Sequence, residues 1–234
     1  MFRGLLAATL ASAQLLIPHA DTSLAGGGWD ISWPQCTHDY PDRAPSQFAI
    51  VGVTGGRPFT HNPCLSSQFL WAARGSAPVG LYVNVAYGQR DRVLLPCDPP
   101  EAGCFAFVYG FESARYAYDY ALTESFGLSA NVRTWWLDVE TANRWSDDQS
   151  LNAQVIEGAL FYFREVHGLE VGVYSARFMW SQILGGYAPA DVPNWVAGAS
   201  GPQDRSRCQM GFWPGAVVRL YQFDAGEFDR DYAC

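Results

Sequence analysis

The chain contains no lysine. Its 15 basic residues are all arginines, and with 23 acidic residues they give a formal net charge of −8. The arginines form no basic run that could neutralise a row of phosphates, so nucleic acid is not expected as a partner. An acidic chain also gains nothing electrostatically from an anionic membrane surface. These absences argue against nucleic-acid binding and electrostatic membrane binding as the main function.

Motifs of several other chemistries are missing as well. No Cys-x-x-Cys or clustered Cys/His spacing is present, so a zinc site is not expected, and no cofactor is predicted. The glycine run at 26–28 precedes a strand instead of a helix and makes no phosphate-binding loop. Ser175 and Ser200 have no evident base, which argues against a serine protease. No internal repeat or linker to a second domain is visible.

The N-terminal residues 1–25 have the pattern of a secretory signal peptide. Arg3 precedes a short apolar stretch at 5–17, and small residues follow, with Ala20 or Ala25 ending a candidate cleavage site. The alternative is a retained membrane anchor, although the stretch is short for a membrane span. We expect residues 26–234 to be secreted and, after signal cleavage, free of the membrane.

The six cysteines fit export, because an even number in an oxidising compartment predicts three disulfides. Proximity favours Cys97–Cys104, which would close a short loop. Each of Cys36 and Cys64 follows an early strand, and we pair them. The remaining pair, Cys208–Cys234, would hold the C-terminus.

Apolar strands alternate with helices along the rest of the chain. This pattern predicts a parallel sheet wrapped by helices, an α/β fold, and the length suits a single (β/α) TIM-like barrel over residues 26–234. Residues 88–103 and 200–215 are predicted loops, and 227–232 form the chain end. The predicted strands are 29–32, 48–54, 79–86, 134–140, 170–174, 193–197 and 217–223, and the predicted helices are 65–74, 109–126, 151–166 and 178–184.

The segment 134–140 ends in two carboxylates, Asp138 and Glu140, separated by one apolar residue. On a strand these two side chains share one face. Two carboxylates that close cannot ionise independently, so one holds its proton longer and can serve as a general acid beside an anion. Cleavage of a glycosidic bond needs this combination. The alternative is an ordinary strand end with two solvated acids.

Other polar side chains also fall at or near strand ends, where the active sites of such barrels lie. They are Asp30, Asn84, Tyr174 and Gln222. Asp30 either closes the turn after the first strand or faces the barrel interior. The nine tryptophans and twelve tyrosines hint at a groove for sugars or peptides, although packing accounts for most of them.

Short motifs spread over residues 28–232 resemble those of the glycoside hydrolase family 25 lysozymes, in the same order. They are Gly28-Trp29-Asp30-Ile31-Ser32, residues 48–54, Leu81-Tyr82, Leu137-Asp138-Val139-Glu140, Gly172-Val173-Tyr174-Ser175, Asn194-Trp195-Val196-Ala197, Tyr221-Gln222-Phe223 and Phe228-Asp229-Arg230-Asp231. The sequence is closer still to a group of exported actinobacterial-type proteins that open with G-[YW]-D-I-S-W-P-Q-C and end with D-x-D-Y-A-C.

The resemblance implies a flattened barrel that cleaves the β-1,4 bond between N-acetylmuramic acid and N-acetylglucosamine in peptidoglycan. Glu140 would be the general acid. Asp138 would stabilise positive charge or hold the substrate's N-acetyl group as that group attacks C1. Whether the anomeric configuration is retained or inverted stays open. The expected substrate-binding side chains are Asp30, Asp229, Tyr82, Asn84, Tyr174, Trp195 and Gln222.

Three departures from the family pattern alter the groove. Thr54-Gly55-Gly56 stands in place of A-T-E-G, Tyr82-Val83-Asn84 in place of Y-H-F, and Asp231 in place of the final Asn.

These departures leave a second interpretation open, a weakly active or inactive barrel that binds cell-wall glycan or a protein partner. A chitinase-like barrel is a third interpretation, weakened because Asn131, Val132, Arg133 and Thr134 stand where such enzymes carry further acids. We expect a monomer.

Overall fold

The computed structural model describes residues 27–40, 47–88, 97 and 101–234. The predicted signal segment, residues 1–25, and most of the predicted loop at 88–103 lie outside the described residues. Within the described part of the chain, no helix is long and apolar enough to cross a membrane.

Eight strands close into a barrel in chain order. Neighbours from β1 to β7 are parallel, whereas β8 lies between β7 and β1 and is antiparallel to both. The strands are β1 (Gly27–Ile31), β2 (Ala49–Gly52), β3 (Val79–Val85), β4 (Thr134–Val139), β5 (Glu170–Ser175), β6 (Asn194–Val196), β7 (Val218–Asp224) and β8 (Asp229–Ala233). The α-helices are α1 (Leu65–Ala72), α2 (Ala102–Glu124), α3 (Gln149–Phe161) and α4 (Arg177–Leu184), with short 3₁₀ turns at Trp33–Thr37, Leu128–Asn131 and Arg205–Gln209 and a π turn at Tyr162–Val166.

Strand β4 shows how the sequence builds the barrel wall. Successive side chains alternate between the two faces of a strand. Trp135, Leu137 and Val139 pack in the apolar layer that the barrel shares with the helices. Trp136 packs in a separate cluster inside the barrel. Asp138 is two residues after Trp136 and lies on the same face of β4, so its carboxyl group faces the interior, as the D-x-E pattern predicts.

Large apolar side chains fill the barrel beneath the carboxyl ends of the strands. This interior cluster consists of Phe48, Ile50, Trp136, Trp195 and Leu220. Two glycines make room for its rings: a Cβ at Gly172 would lie 2.2 Å from the ring of Trp136, and one at Gly28 would lie 2.2 Å from the ring of Phe48. Because the interior is packed, a ligand can enter only at the strand ends.

Helix α2 begins earlier than the predicted start at residue 109 and includes the end of the predicted loop at 88–103. Its Gly110 weakens the helix signal in the sequence, since glycine is a poor helix former. In the structure Gly110 lies where α2 meets α3, and a Cβ there would be 1.9 Å from the carbonyl oxygen of Val155. Close packing of the two helices therefore explains the glycine.

The chain end also differs from the prediction. The sequence pattern assigns no element to residues 227–232, yet they contain most of β8. This strand reads Asp-Arg-Asp-Tyr-Ala and has no apolar run to reveal it. It is stabilised by pairing with β7 and with β1, which lies at the other end of the chain.

The three disulfides predicted from proximity are confirmed: Cys36–Cys64, Cys97–Cys104 and Cys208–Cys234 are all bonded. Multiple disulfides are typical of proteins in oxidising compartments, and they favour an extracellular protein.

Candidate active site

A cleft of about 190 Å³ opens at the carboxyl ends of the parallel strands. Eight of the nine predicted site residues line it, and only Asn84 does not. Since β8 is antiparallel, its first residue, Asp229, lies at the same end of the barrel and also reaches the cleft. The lining residues are Asp30, Ser32, Pro34, Gln35, Tyr82, Asp138, Glu140, Tyr174, Trp195, Gln222 and Asp229.

Asp138 and Glu140 occupy different surroundings in this cleft. Asp138 is the penultimate residue of β4 and is only 5% exposed. Glu140 directly follows β4 and is half-buried. Burial raises the pKa of Asp138 well above its ordinary value, and the neighbouring Glu140 and Asp30 raise it further. The pKa of Glu140 is also raised, first by burial and then by Asp229. Each carboxyl group therefore holds a proton to a higher pH than a solvated acid would.

Asn84 lies behind Asp138 instead of in the cleft. The two residues are opposite each other on β3 and β4. The Asn84 amide donates a hydrogen bond to Oδ2 of Asp138. Thr54 donates its hydroxyl to Oδ1 of Asn84 at 2.6 Å and accepts the Asn84 backbone N–H at 3.0 Å. Asn84 is therefore oriented by Thr54 and in turn orients Asp138.

A second chain of hydrogen bonds leads to Asp30. The Tyr174 hydroxyl donates to Oε1 of Gln222 at 2.7 Å, and Nε2 of Gln222 donates to Oδ2 of Asp30 at 3.0 Å. Burial and then Asp229 raise the pKa of Asp30 to about 7, while the hydrogen bonds from Gln222 and Asp231 oppose that rise. Asp30 thus faces the barrel interior, which resolves the two interpretations of its role in the sequence.

Asp231 is not among the predicted site residues, although the sequence marks it as a departure from the family motif. Asp231 is fully buried, and its Oδ1 accepts the indole N–H of Trp195 at 2.7 Å. It lies two residues after Asp229 on β8 and so shares the inward face. Alternation from Asp229 would have revealed it, but only if residues 229–233 had been recognised as a strand.

The 3₁₀ turn after β1 supplies a wall of the cleft that the sequence also did not predict. Pro34 and Gln35 line the cleft, and Gln35 accepts the backbone N–H of Ser32 at 2.9 Å. The Cys36–Cys64 disulfide joins this turn to the beginning of α1. The Trp-Pro-Gln-Cys segment therefore contributes to the shape of the cleft and carries a disulfide.

In the part of the chain that the structure describes, no group of three or more His, Cys, Asp or Glu side chains is arranged to hold a metal ion. None of the four ion pairs found among the described residues includes an acid of the cleft. The cleft is thus rich in carboxyl groups, and the side-chain hydrogen bonds to Asp30 and Asp138 come from the neutral amides of Gln222 and Asn84.

Comparison with known proteins shows that this chain is similar to lysozymes. A family model described as Lysozyme-like protein 1 matches residues 112–210, which include Asp138 and Glu140. The curated protein Probable GH family 25 lysozyme 4 from Dictyostelium discoideum is 34% identical over 97 residues, which are 41% of this chain and 45% of that protein. The match therefore spans less than half of the relative's length.

Solved structures extend the likeness to nearly the whole barrel. The lysozyme from Streptomyces coelicolor has a TM-score of 0.57 at 16% identity, covering 91% of this chain and 93% of that one. The modular autolysin LytC from Streptococcus pneumoniae, solved with a synthetic peptidoglycan ligand, has a TM-score of 0.57 at 15% identity, covering 88% of this chain and 46% of that one. The chain thus has the irregular β/α barrel fold of the family 25 lysozymes and is similar to them in sequence through its middle part.

Proposed function

We propose that this protein is a secreted glycoside hydrolase that cleaves β-1,4 bonds of an N-acetylated cell-wall polysaccharide, with peptidoglycan as the first candidate. The observation that carries the proposal is the pair formed by Asp138 and Glu140 at the cleft. One carboxyl group is buried and held by an amide, and the other is half-buried at the end of the strand. Two acids in unlike surroundings can take two different roles.

Glu140 is the general acid of this mechanism. Its raised pKa keeps the carboxyl group protonated closer to neutral pH, where it can donate to the oxygen of the scissile bond as the C1–O bond breaks. Where the N-acetyl group has attacked C1, water then forms a new bond to C1, the bond from C1 to the N-acetyl oxygen breaks, and the Glu140 carboxylate takes the proton of that water. Its half-buried position gives it access to both substrate and water.

Asp138 is the electrostatic partner. It stabilises the positive charge that develops at C1, or it orients the N-acetyl group of the substrate as that group attacks C1. Both roles need Asp138 ionised and fixed in place. Burial favours its protonated form, and the hydrogen bond donated by the amide of Asn84 opposes this by stabilising the carboxylate. The sugar contacts fall to Tyr82, Tyr174, Trp195, Gln222, Asp30 and Asp229.

Peptidoglycan is favoured as the substrate because LytC, which shares the fold, was solved with a synthetic peptidoglycan ligand. The three disulfides and the signal-like residues 1–25 support action outside the cell. We place the chain among the exported actinobacterial-type proteins with the W-P-Q-C opening, whose first turn lines the cleft here.

A second candidate function is binding of cell-wall glycan without hydrolysis. The observation that favours it is the segment Thr54-Gly55-Gly56, which has no acid where the resembling lysozymes carry a glutamate. The Thr54 hydroxyl is engaged internally with Asn84. The cleft therefore lacks one family acid while keeping the others.

The deciding experiment is mass spectrometry of the soluble products after incubation with peptidoglycan or chitin. The parent protein, Glu140→Gln and a control, Glu165→Gln, should be compared, because Glu165 is an exposed carboxylate on the outer π turn. We expect muropeptides from the parent and from the control. Glu140→Gln and Asp138→Asn should each lower the rate by about 10²- to 10⁴-fold, as is typical for the loss of a positioned acid–base group.

The alternatives give different products. Chitin fragments alone would change the substrate and keep the mechanism. Undiminished cleavage by Glu140→Gln would refute Glu140 as the acid. An absence of products from either polymer, with folded protein and formed disulfides, would favour the binding function.

A further inference from the structure

Asp231 is a buried acid for which the proposed mechanism has no use. It is 0% exposed on β8. Oδ1 accepts the Trp195 indole N–H at 2.7 Å, whereas Oδ2 is buried and has no hydrogen-bond donor among the described residues. A buried carboxylate with one oxygen unsatisfied is strongly unfavourable, and such a group takes up a proton instead. A protonated Oδ2 needs an acceptor in place of a donor.

The acceptor is Asp30. On the barrel wall Asp231 is paired with Gly28 of β1 and Gln222 of β7, and Asp30 lies two residues beyond Gly28 on the same inward face. Diagonal neighbours of this kind lie within reach of each other's side chains. Their closeness lowers the pKa of the Asp30 carboxyl and raises that of the Asp231 carboxyl, so the proton belongs to Asp231. A proton on Oδ2 of Asp231 satisfies both residues.

We propose that Asp231 is a positioning residue that works as a neutral carboxylic acid, accepting the Trp195 indole N–H and donating its own proton to the Asp30 carboxylate. Asp30 is then held from two sides, by Gln222 and by Asp231. In this position its carboxylate lines the cleft beside the reacting pair. The effect on hydrolysis rests on the proposed glycosidase function, whereas the protonation of Asp231 does not.

Burial and the neighbouring carboxyl groups favour the neutral form of Asp231, and the hydrogen bond from the Trp195 indole N–H opposes them. β1 contributes Asp30, β8 contributes Asp229, and both carboxyl groups repel a second negative charge. Burial is the largest cause that raises the pKa of Asp231 well above its ordinary value. The facing side chains of β5, β6 and β7 are uncharged: Tyr174, with its own pKa raised, Trp195 and Gln222.

Asp231 makes the hydrogen bond to Asp30 depend on pH. The resembling lysozymes carry Asn at this position. An amide there can accept from Trp195 and donate to Asp30 at any pH. A carboxylic acid can donate only while it is protonated. Loss of the proton would leave two buried carboxylates in contact, so Asp30 would no longer be held, and activity should fall at alkaline pH.

The test compares Asp231→Asn, Asp231→Leu and a surface control, Asp119→Asn. Asp119 is an exposed residue on α2. Infrared difference spectra, parent minus variant, recorded on the free protein near neutral pH should show the loss of one carboxylic-acid carbonyl band in each Asp231 variant and no loss in Asp119→Asn. Unfolding measured from about pH 5 to about pH 9 should show a smaller loss of stability in Asp231→Asn than in the parent.

The rate of peptidoglycan hydrolysis supplies a second readout. Asp231→Asn should keep the parent's rate at acidic pH and exceed it at alkaline pH. Asp231→Leu, which can neither accept nor donate, should lose about tenfold or more at every pH, as for a lost hydrogen bond to a charged group. An unchanged infrared band in Asp231→Asn, or pH profiles of stability that superimpose on those of the parent, would overturn the proposal.

The two proposals can fail separately. If the parent hydrolyses nothing, the glycosidase function is rejected, but the infrared and unfolding measurements still decide the protonation of Asp231. If the parent is active and Asp231→Asn loses its hydrolysis rate at alkaline pH just as the parent does, the positioning role is rejected and the glycosidase function stands.

Discussion

The amide of Asn84 donates a hydrogen bond to Oδ2 of Asp138, and the two residues are opposite each other on adjacent parallel strands. The sequence predicts Asn84 as a substrate-binding residue. The structure instead puts it behind the cleft, where Thr54 fixes its orientation. Its contribution to the proposed reaction therefore passes through Asp138.

Replacing Asn84 by alanine should lower kcat with little effect on KM, because the variant removes the hydrogen bond to Asp138 and no cleft-lining group. The expected loss is about tenfold to a hundredfold, the range for a hydrogen bond to a charged group. Without that donor the pKa of Asp138 should rise further, which shifts the optimum to higher pH. Steady-state kinetics across pH tests this. The control is Asn131→Ala, at an exposed position. If Asn84→Ala raised KM alone, Asn84 would instead be a substrate-binding residue.

The stability of the protein should fall as pH rises through the neutral range. The pKa of Asp30 is raised from 3.8 to about 7 in the folded state, so between these values the folded chain binds more protons than the unfolded chain. The free energy of unfolding then decreases with pH, for this group by at most roughly 4 kcal/mol. Glu140 and Asp229, whose pKa values are also raised, act in the same direction.

Thermal unfolding at about pH 5 and about pH 8 measures this trend, and Asp30→Asn should reduce it. The exposed Asp148 and the half-buried Asp204 have lowered pKa values because serine groups donate hydrogen bonds to them, and their effect appears only below the ordinary aspartate range. A higher unfolding temperature at about pH 8 than at about pH 5 would contradict the burial of uncharged carboxyl groups.

Removal of Cys36–Cys64 should lower both stability and activity, since this bond fixes the turn that carries Pro34 and Gln35 at the cleft. The matched control is Cys208–Cys234: the sequence separations are 28 and 26 residues, so the effects on chain entropy should be nearly equal. Each double alanine variant should lose about 3 kcal/mol of stability.

Only the loss of Cys36–Cys64 should also slow hydrolysis at a temperature where both variants are folded. Cys234 follows the end of β8, and this antiparallel strand ends on the side of the barrel away from the cleft. Equal rates in the two variants would show that the turn holds its shape without its disulfide.

Gly172→Ala should destabilise the barrel strongly, because a Cβ at that position would lie 2.2 Å from the Trp136 ring and 2.9 Å from the carbonyl oxygen of Pro193. Overpacking of this kind costs about 1–3 kcal/mol or more. Gly186→Ala is the control, since nothing lies within 4 Å of its Cβ position. Chemical unfolding curves should show a large loss for the first variant and a change of less than ~1 kcal/mol for the second.

Local pattern predicted much of this fold. The alternation in Thr134–Val139 placed Asp138 on the inward face, and the apolar runs located seven of the eight strands. Even the disulfides followed from proximity along the chain. These features depend on side-chain periodicity and short-range geometry, which are properties of a single segment.

The sequence by itself therefore determined the helix and strand order, the disulfide pairs and the residues that gather at the strand ends. Tertiary structure decided how β8 closes the barrel, why Gly110 lies inside a helix, and that Asn84 supports Asp138 while Asp231 meets Asp30. The physical reason is that burial, hydrogen-bond partners and protonation depend on groups far apart in the chain. Asp30 and Asp231 come from its two ends, and only closure of the barrel brings them together.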